Sequence, residues 1–248
     1  MDDYTPSTYG DRVADVYDDW YAGGGPFGDA AGAVSFLREL AGPGPALELG
    51  IGTGRVALPL VEAGVEVHGI DTSEAMVSKL RAKKAGDRVP VTIGDFRDFE
   101  LETRFRVVYV VFNSFFGLLS QDDQVSCFQA VARHLVDDGA FAMEAFLPDL
   151  ARFDRGQRVS AVDVTGGEVR LDVSMHDPIA QRSDNQHVVI REDGIRLYPV
   201  KLRYASMSEL DLMGRIAGMR LRERWADWDR SALSSASGKH VSVWELAS

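Results

Sequence analysis

The sequence predicts an α/β protein in which a mostly parallel, twisted sheet carries helices on both faces and an antiparallel β insertion follows the fifth strand. Two observations on the 248 residues carry this prediction. Between residue 46 and about residue 146, short apolar segments alternate with segments of helical spacing, which is the order of a parallel sheet with right-handed crossovers. After Pro148 the pattern changes to alternating polar and apolar residues, which is typical of antiparallel strands.

The elements of the parallel part follow one another with clear boundaries. Residues 29–41 have helical apolar spacing and end at Gly42-Pro43-Gly44. Pro59 weakens the helix that follows the first strand, and Ser73 is a suitable N-cap for the next helix. The predicted strands are 46–50, 65–71, 89–95, 105–113 and 139–146; the predicted helices between them are 54–64, 73–85 and 121–136, with a turn at Asp137-Asp138-Gly139 before the last strand.

The rest of the chain indicates an antiparallel lobe and a return to the main sheet. Turn signals at Thr165-Gly166-Gly167 and Glu192-Asp193-Gly194 separate alternating segments. Strands are predicted at 158–165, 168–177, 185–193, 195–204, 221–228 and 239–247, with a helix at 206–218. We therefore divide the chain into an N-terminal helical cap (1–29), a ligand-binding core (30–148), a β lobe for substrate or dimer contacts (149–205) and a C-terminal helix with strands that rejoin the core sheet (206–248).

Charge and composition exclude several classes of function. The formal net charge of −11 repels phosphate backbones, so no nucleic-acid partner is expected. The single cysteine, Cys127, permits neither an intrachain disulfide nor a Cys-rich zinc site, and no metal is expected. No apolar run reaches the roughly 18 residues that span a membrane. The acidic start MDDYTPSTYGDRV is unlike a secretory signal, so we expect no membrane partner and a cytoplasmic location.

The stretch ALELGIGTG (46–54) places three alternating glycines between the first strand and the first helix of the sheet. Ligands of open α/β sheets bind there, and glycines let them approach the main chain. A phosphate loop would need Lys-Ser or Lys-Thr after the glycines, and a dinucleotide loop would have glycine in place of Arg55. Asp71, at the end of the second strand, is suited to both hydroxyls of a ribose, and Asp95 with Phe96, at the end of the third, to an adenine.

Four motifs in this order resemble those of class I S-adenosylmethionine-dependent methyltransferases: ELGIGTG (48–54), GIDTSEAM (69–76), GDF (94–96) and VFNSF (111–115). The resemblance covers about residues 30–146 and implies the Rossmann-like fold of that class. It also implies that the cofactor is S-adenosyl-L-methionine and the product S-adenosyl-L-homocysteine. The implied contacts are Gly50, Gly52 and Gly54 with the methionine part, Asp71 with the ribose, Asp95, Phe96 and Met76 with the adenine, and Val111, Phe112 and Asn113 near the transferable methyl group.

Neighbouring residues complete the predicted cofactor site. We expect Glu48 to bond backbone or water around the cofactor, and Thr72 to border the ribose. Arg12 or Arg55 is suited to pair with the cofactor's carboxylate. The hydroxyls and ring faces of N-terminal tyrosines suit a sulfonium, although ordinary helix packing is the alternative for each of them: Tyr9, Tyr17 and Tyr21.

The methyl acceptor is expected to be a small molecule. FNSF (112–115) lacks the [ND]-P-P-[FY] stretch by which methylases of base amines and glutamine side chains resemble one another. Cys127 lies mid-helix after Ser126, so it does not suit cytosine C5 methylation. MEAFLPD (143–149) and the lobe after it resemble, in layout, bacterial natural-product methyltransferases, among them amino-sugar N,N-dimethyltransferases and indole C-methyltransferases. That layout implies a lobe that roofs the acceptor pocket and makes a homodimer contact.

A phenol or carbon acceptor benefits from a general base, whereas a neutral amine needs little. We select His176, His187 and Tyr21 as catalytic candidates, with Asp177 as the orienter of a histidine; a surface or packed position is the alternative for each histidine. His240 and Glu144 are weaker candidates. Aromatic residues expected to shape the pocket, or else simply the core, are Phe112, Phe115, Phe116, Phe146, Trp225 and Trp228.

The favoured function is transfer of a methyl group to nitrogen, carbon or oxygen of a small molecule in secondary metabolism. Two alternatives stay open. One is a partner or sensor protein that holds S-adenosylmethionine or S-adenosylhomocysteine without turnover. The other is an oxidoreductase with a nicotinamide cofactor, against which Arg55 argues.

Overall fold

The computed structural model describes residues 3–21 and 30–247, and its strands form two sheets. In chain order the strands are β1 (Ala46–Leu49), β2 (Val67–Asp71), β3 (Val91–Ile93), β4 (Phe105–Val110), β5 (Leu135–Phe146), β6 (Gln157–Val164), β7 (Glu168–Asp177), β8 (Arg182–Arg191), β9 (Gly194–Arg203), β10 (Met219–Trp225) and β11 (Lys239–Leu246). The helices are α1 (Thr8–Val13), α2 (Tyr17–Tyr21), α3 (Ala30–Ala41), α4 (Ala57–Glu62), α5 (Glu74–Arg81), α6 (Gln121–His134) and α7 (Met207–Ile216).

The main sheet has seven strands in the order β10-β11-β5-β4-β1-β2-β3. β1 pairs in parallel with both β2 and β4, so the chain reverses its direction of progress across the sheet at β1. A crevice opens at the carboxyl ends of the strands at such a reversal. β11 pairs antiparallel with β5 and with β10, which confirms that the last two strands rejoin the main sheet.

Helices cover both faces of this sheet, as predicted. On one face Phe128 of α6 packs edge-on against Phe141 of β5 and Trp244 of β11. On the other face Phe36 of α3 lies in a second buried cluster together with Tyr109 of β4. Both faces of the central strands are therefore shielded from solvent, which explains why these strands are almost uniformly apolar in the sequence.

The second sheet is the β lobe, in which β6, β7, β8 and β9 pair antiparallel in chain order. Side chains alternate between its two faces. One face of β7 and β8 carries polar residues, and the opposite face carries exposed apolar residues such as Met175 and Ile190. An antiparallel lobe inserted after the fifth strand was the second element of the predicted fold, and the fold class is confirmed.

Three local predictions were wrong at their boundaries. Asp137-Asp138-Gly139 is not a turn before the fifth strand but lies within β5, and the β4–β5 register shifts between Phe105 and Val107 to accommodate the extra residues. α4 begins only at Ala57, after a turn through Arg55. β4 ends at Val110, because the residues after it leave extended geometry for positive φ.

Candidate cofactor and acceptor site

One cavity of about 500 Å³ lies at the carboxyl ends of β1 and β2. The loop that carries the predicted glycines forms one end of it, and α1 and α2 contribute Tyr9, Tyr17 and Tyr21 to its wall. Side chains of β7, β8 and β9 line the far end. The crevice of the main sheet and the polar face of the β lobe therefore open into the same space.

The glycine loop needs glycine for its backbone conformation. Gly50, Gly52 and Gly54 have φ of 73°, 56° and 81°, a region that other residues enter at a cost. A Cβ on Gly52 would lie 3.3 Å from the Met76 side chain at the cavity, and one on Gly54 would lie 2.9 Å from Leu58. Gly52 thus keeps the cavity surface open, whereas Gly54 permits the helix behind the loop to pack.

Asp71 joins the end of β2 to the glycine loop. Its Oδ2 accepts a hydrogen bond from the Gly52 N–H at 2.7 Å, and its Oδ1 accepts one from the Ser73 N–H at 2.8 Å. Burial raises the pKa of the Asp71 carboxyl, and the backbone donors oppose that rise. Each carboxylate oxygen has a further lone pair, so the side chain has the acceptors that two adjacent hydroxyls need.

Arg55 follows the glycines and extends along the cavity wall. Its guanidinium carbon lies 3.5 Å from the centroid of the Phe112 ring and 5.3 Å from that of Tyr21. Its Nε is buried and has no hydrogen-bond partner among residues 3–21 and 30–247. A buried donor without a partner is costly, so this group fits an anionic ligand beside the loop.

The segment after β4 is held in an unusual backbone conformation. Phe112 and Asn113 have φ of 54° and 67°, although neither is glycine. The Phe112 N–H donates to Glu144 at 3.1 Å, and the Phe146 N–H donates to the Asn113 side chain at 2.7 Å. Residues in sparsely populated φ/ψ regions cluster at ligand sites, and both side chains line the cavity.

The N-terminal helices are fastened to the cofactor crevice by acidic residues. Asp11 accepts a hydrogen bond from Ser73 at 2.6 Å, and Asp18 accepts one from Thr53 of the glycine loop at 2.6 Å. Asp18 also pairs with Lys83 at 2.7 Å. The cap predicted for residues 1–29 therefore contacts both the loop and the start of α5, although residues 1–2 and 22–29 lie outside the described part of the chain.

The polar face of the β lobe reaches the same cavity. His187 Nδ1 contacts Asp172 Oδ1 within hydrogen-bonding distance, and His176 Nε2 lies 2.8 Å from the Tyr204 hydroxyl. The His176 ring also stacks on Phe153 at a centroid distance of 4.5 Å. The lining side chains of β7 and β8 form three directly opposed pairs: Asp172 with His187, Ser174 with Asn185, and His176 with Ser183.

Known proteins resemble this chain in sequence and in fold. The family described as a methyltransferase domain matches residues 46–139. The cypemycin N-terminal methyltransferase of a Streptomyces species is 30% identical over 217 residues, which cover 86% of this chain and 87% of the relative. The chain belongs to the S-adenosylmethionine-dependent methyltransferases. It is an enzyme of that class, and its cofactor is S-adenosyl-L-methionine.

Two further relatives of this methyltransferase extend over most of its length. The structure of the CcbJ methyltransferase from Streptomyces caelestis is 43% identical, covers 99% of this chain and 100% of its own, and superposes with a TM-score of 0.93. A dTDP-4-amino-2,3,4,6-tetradeoxy-D-glucose N,N-dimethyltransferase from Saccharopolyspora spinosa is 29% identical over 204 residues, covering 77% of this chain and 78% of the relative. The class I Rossmann-like fold is thereby confirmed.

Most residues selected from the sequence border the cavity of the methyltransferase. From the cofactor set these are Tyr9, Gly50, Gly52, Arg55, Asp71, Thr72, Met76, Asp95, Phe96, Phe112 and Asn113, and from the catalytic set Tyr21, His176 and His187. Asp95 Oδ1 accepts a hydrogen bond from the Arg97 N–H at 2.9 Å. Glu48, Gly54 and Val111 are buried and are not among the lining residues.

Glu48 is buried beneath the glycine loop. Burial raises the pKa of its carboxyl to about 8, while a hydrogen bond from the Tyr109 hydroxyl at 2.9 Å and the Ala57 N–H counteract that rise. Its nearest charged neighbours are Asp71 and Arg55. The expectation that Glu48 bonds protein groups around the cofactor instead of reacting agrees with this environment.

Several secondary candidates do not reach the cavity. Asp177 does not orient a histidine, since its Oδ1 accepts from the Ile179 and Ala180 N–H groups of a turn. Glu144 holds the Phe112 backbone and Lys239. The others that are not among its lining residues are Arg12, Phe115, Phe116, Trp225, Trp228 and His240. Phe115 and Phe116 belong to one buried core cluster and Trp228 to another, so these rings fill the interior.

Sequence reasoning missed the acids that complete the site, namely Asp11, Asp18 and Asp172. The first two lie among several N-terminal acids, and nothing in the pattern singles them out. Asp172 becomes the partner of His187 through the register of β7 with β8, which the alternation of the sequence does not specify. Within residues 3–21 and 30–247 no group of three His, Cys, Asp or Glu side chains is arranged to hold a metal ion, and no helix is long and apolar enough to cross a membrane.

Proposed function

We propose that this methyltransferase transfers the methyl group of S-adenosylmethionine to an amine nitrogen of a small molecule of bacterial secondary metabolism. The observation that carries the proposal is a cavity that joins the glycine loop to the polar face of the β lobe. A donor seated at the loop and an acceptor seated against the lobe would meet within it. Holding two reactants in line in this way supplies much of the rate enhancement in such a reaction.

The cofactor placement that these residues fit follows the sequence-based prediction. Asp71 binds the ribose hydroxyls, and the loop of Gly50, Gly52 and Gly54 approaches the methionine part. Arg55 pairs with the carboxylate, because its buried Nε has no partner among the described residues. Asp95, Phe96 and Met76 border the adenine, with Thr72 beside the ribose. Bound there, S-adenosylmethionine supplies an electrophilic methyl group, which Tyr9, Tyr21 and the Phe112–Asn113 segment would face.

Nitrogen is favoured as the acceptor atom by the names of relatives. One curated relative is called an N-terminal methyltransferase, and another an N,N-dimethyltransferase of a dTDP-linked amino sugar. The β lobe contributes hydroxyl, amide and imidazole side chains, which suit a polar acceptor. Within the catalytic set we assign His187 and Tyr21 to the acceptor end. His176 serves as a wall, because its ring is stacked on Phe153 and bonded to Tyr204.

The outer face of the β lobe is proposed as the contact of a homodimer. Strand register puts exposed apolar side chains from four strands on the face opposite the cavity: Val159, Val164, Met175, Ile190, Ile195 and Leu197. An exposed apolar patch of this kind is typical of a protein interface. We further propose the division into cap, core, lobe and C-terminal segment as functional units, and a cytoplasmic location.

A methyl-transfer assay tests the proposal. The enzyme is incubated with S-[methyl-¹⁴C]adenosylmethionine and a panel of amines: a dTDP-linked 4-amino-4,6-dideoxy sugar, a peptide with a free N-terminal amine, and an aminoglycoside. We expect label in one of these amines and release of S-adenosylhomocysteine. Incubation with an extract of actinomycete metabolites extends the panel. Label confined to oxygen or carbon positions, or no turnover despite tight binding of S-adenosylhomocysteine, would contradict transfer to nitrogen.

A further inference from the structure

We infer that Asp172 is a positioning residue that holds His187 in the tautomer able to take a proton from the acceptor. The inference rests on the proposed function and adds how the acceptor amine is made nucleophilic. An amine that enters the cavity as an ammonium ion has no lone pair. It must lose a proton before it can attack the methyl group. The Asp172–His187 pair supplies a place for that proton at the acceptor end of the cavity.

Strand register builds the pair. Asp172 of β7 lies directly opposite His187 of β8, and in antiparallel strands opposed side chains are on the same face. Both side chains line the cavity, and the Asp172 carboxylate contacts Nδ1 of the imidazole. The pairing is therefore fixed by two rigid strands and not by a loop, which suits a group that must keep its orientation.

The contact decides which ring nitrogen carries the proton. A carboxylate only accepts, so Nδ1 of a neutral His187 must be the N–H that donates to Asp172. The proton on Nδ1 leaves a lone pair on Nε2, which has no hydrogen-bond partner among the residues that the structure describes. A histidine oriented by a carboxylate in this way is the usual arrangement of a general base.

Other groups around His187 are mostly aromatic. Its ring lies 6.3 Å from that of Tyr9 of α1 and 6.0 Å from that of Trp20 of α2, and Tyr198 of β9 is its register partner. The charged groups near the pair include two arginines of the described chain. Arg170 lies over the Trp20 ring at 5.8 Å, and Arg152 interacts electrostatically with Asp172. Asp172 is thus the carboxylate in direct contact with the imidazole.

His176 provides an internal comparison within the same strands. Its Nε2 is already bonded to the Tyr204 hydroxyl, and its ring stacks on Phe153 and on Tyr204. Among the described residues no carboxylate is hydrogen-bonded to His176, and Asp177 accepts from backbone N–H groups instead. Of the two lobe histidines, only His187 combines a carboxylate partner with an unengaged second nitrogen within the described part of the chain.

The proton transfer balances without a further reactant. The N–H bond of the ammonium breaks, its electron pair stays on the acceptor nitrogen, and a new N–H bond forms at His187 Nε2. The lone pair of the acceptor nitrogen then forms the bond to the methyl carbon, while the carbon–sulfur bond breaks and its electrons pass to sulfur. Imidazolium formed at His187 is stabilised by the Asp172 carboxylate, and it returns its proton to solvent through the cavity.

The tautomer of His187 can be measured without knowing the acceptor. ¹⁵N-histidine-labelled enzyme with S-adenosylhomocysteine gives imidazole ¹⁵N signals, of which that of His187 is identified by its loss in His187→Gln. We expect the neutral ring to carry its proton on Nδ1. In Asp172→Asn the ratio of the two tautomers should shift at least tenfold toward Nε2–H, as is reasonable for loss of a charged hydrogen bond. A wild-type His187 ring that carries its proton on Nε2 would overturn the inference.

The pH profile separates positioning from a structural role. With the panel amine that the wild type methylates, Asp172→Asn should lower kcat/KM at least tenfold at pH 7.5, where an imidazole is neutral and an alkylamine is still protonated. The deficit should shrink as the pH approaches the pKa of that amine, because a neutral amine needs no base. Asp193→Asn, in an exposed turn of the same lobe, is the charge-matched control. A deficit equal at every pH, or an unchanged rate, contradicts the inference, whereas a wild type inactive on every amine contradicts the proposed function alone.

Discussion

The glycine crevice and the β lobe present different kinds of surface to the cavity. In the crevice, main-chain N–H groups and backbone conformation dominate, as shown by the Gly52 N–H on Asp71 and by three glycines at positive φ. On the lobe, side chains that oppose each other across β7 and β8 form the surface. The backbone N–H and C=O groups there bond to the neighbouring strands of the sheet. A backbone-built site can serve one invariant cofactor, while a side-chain-built surface can change its acceptor by substitution without disturbing the sheet.

The largest effect is expected at the backbone of the crevice. Gly52→Val places a β-branched residue at a φ of 56° and its Cβ 3.3 Å from the Met76 side chain. The free loop would relax away from this φ, and restoring the geometry at a cost of about 2 kcal/mol would weaken S-adenosylhomocysteine binding roughly thirtyfold, measured by calorimetry. Gly166→Ala is the control, because a Cβ there meets nothing within 4 Å. Equal affinity in both variants would contradict a backbone-built crevice.

Asp71 is the side chain on which the crevice depends most. Asp71→Ala removes the acceptor of the Gly52 and Ser73 N–H groups together with the proposed ribose contact. We expect at least a tenfold loss of S-adenosylhomocysteine affinity, about 1.4 kcal/mol, in calorimetry. Asp87→Ala, at an exposed position after α5, should bind as the wild type does. An unchanged affinity for Asp71→Ala would mean that the ribose lies elsewhere.

Arg55 tests where the amino-acid tail of the cofactor lies. Arg55→Met keeps an apolar contact with Phe112 and removes the charge. Affinity for S-adenosylhomocysteine should fall about tenfold, the usual scale for a charge-assisted hydrogen bond. Affinity for 5′-methylthioadenosine, which has no carboxylate, should stay the same in parallel titrations. If both ligands lose affinity equally, Arg55 acts through the shape of the loop and not on the carboxylate.

The raised pKa of Glu48 predicts that the free energy of unfolding depends modestly on pH. The carboxyl ionises near pH 4.5 in the unfolded chain and at about 8 in the folded protein. Between these values only the folded state keeps the proton, so its stabilising contribution is present below pH 4.5 and is lost as the pH rises toward 8.

Glu48→Gln stays neutral, so its melting temperature should fall less from pH 5 to pH 8 than that of the wild type. We expect a difference of roughly 4 °C, which corresponds to about 1–2 kcal/mol. Scanning calorimetry at the two pH values measures it, and Glu62→Gln on the exposed side of α4 is the control. Parallel falls in all three proteins would show that Glu48 is already ionised in the folded state.

The smallest effect on catalysis is expected on the outer face of the lobe. Ile195→Lys puts a charge among exposed apolar residues on the face opposite the cavity. Light scattering should give twice the chain mass of 27.2 kDa for the wild type and the single mass for the variant. S-adenosylhomocysteine affinity should be unchanged. A monomeric wild type would contradict the proposed dimer but not the proposed cofactor and acceptor site.

The contrast between the glycine crevice and the β lobe also explains which parts of the site the sequence predicts well. The crevice residues lie at strand ends, where short motifs such as Gly50 to Gly54 and Asp71 have fixed spacings, and the structure brings them together. On the lobe, alternation predicts the strands but not their register, so Asp177 was chosen where Asp172 is the partner of His187. The Asp18–Thr53 contact joins residues 35 positions apart, and no local pattern carries such a pairing.

A crystal structure with S-adenosylhomocysteine tests the central claim most directly. We expect the ribose hydroxyls within hydrogen-bonding distance of Asp71, the carboxylate at Arg55, and the sulfur facing the part of the cavity that His187 lines. A ligand bound with its nucleoside away from Asp71, or a crevice that stays vacant at saturating ligand, would contradict it.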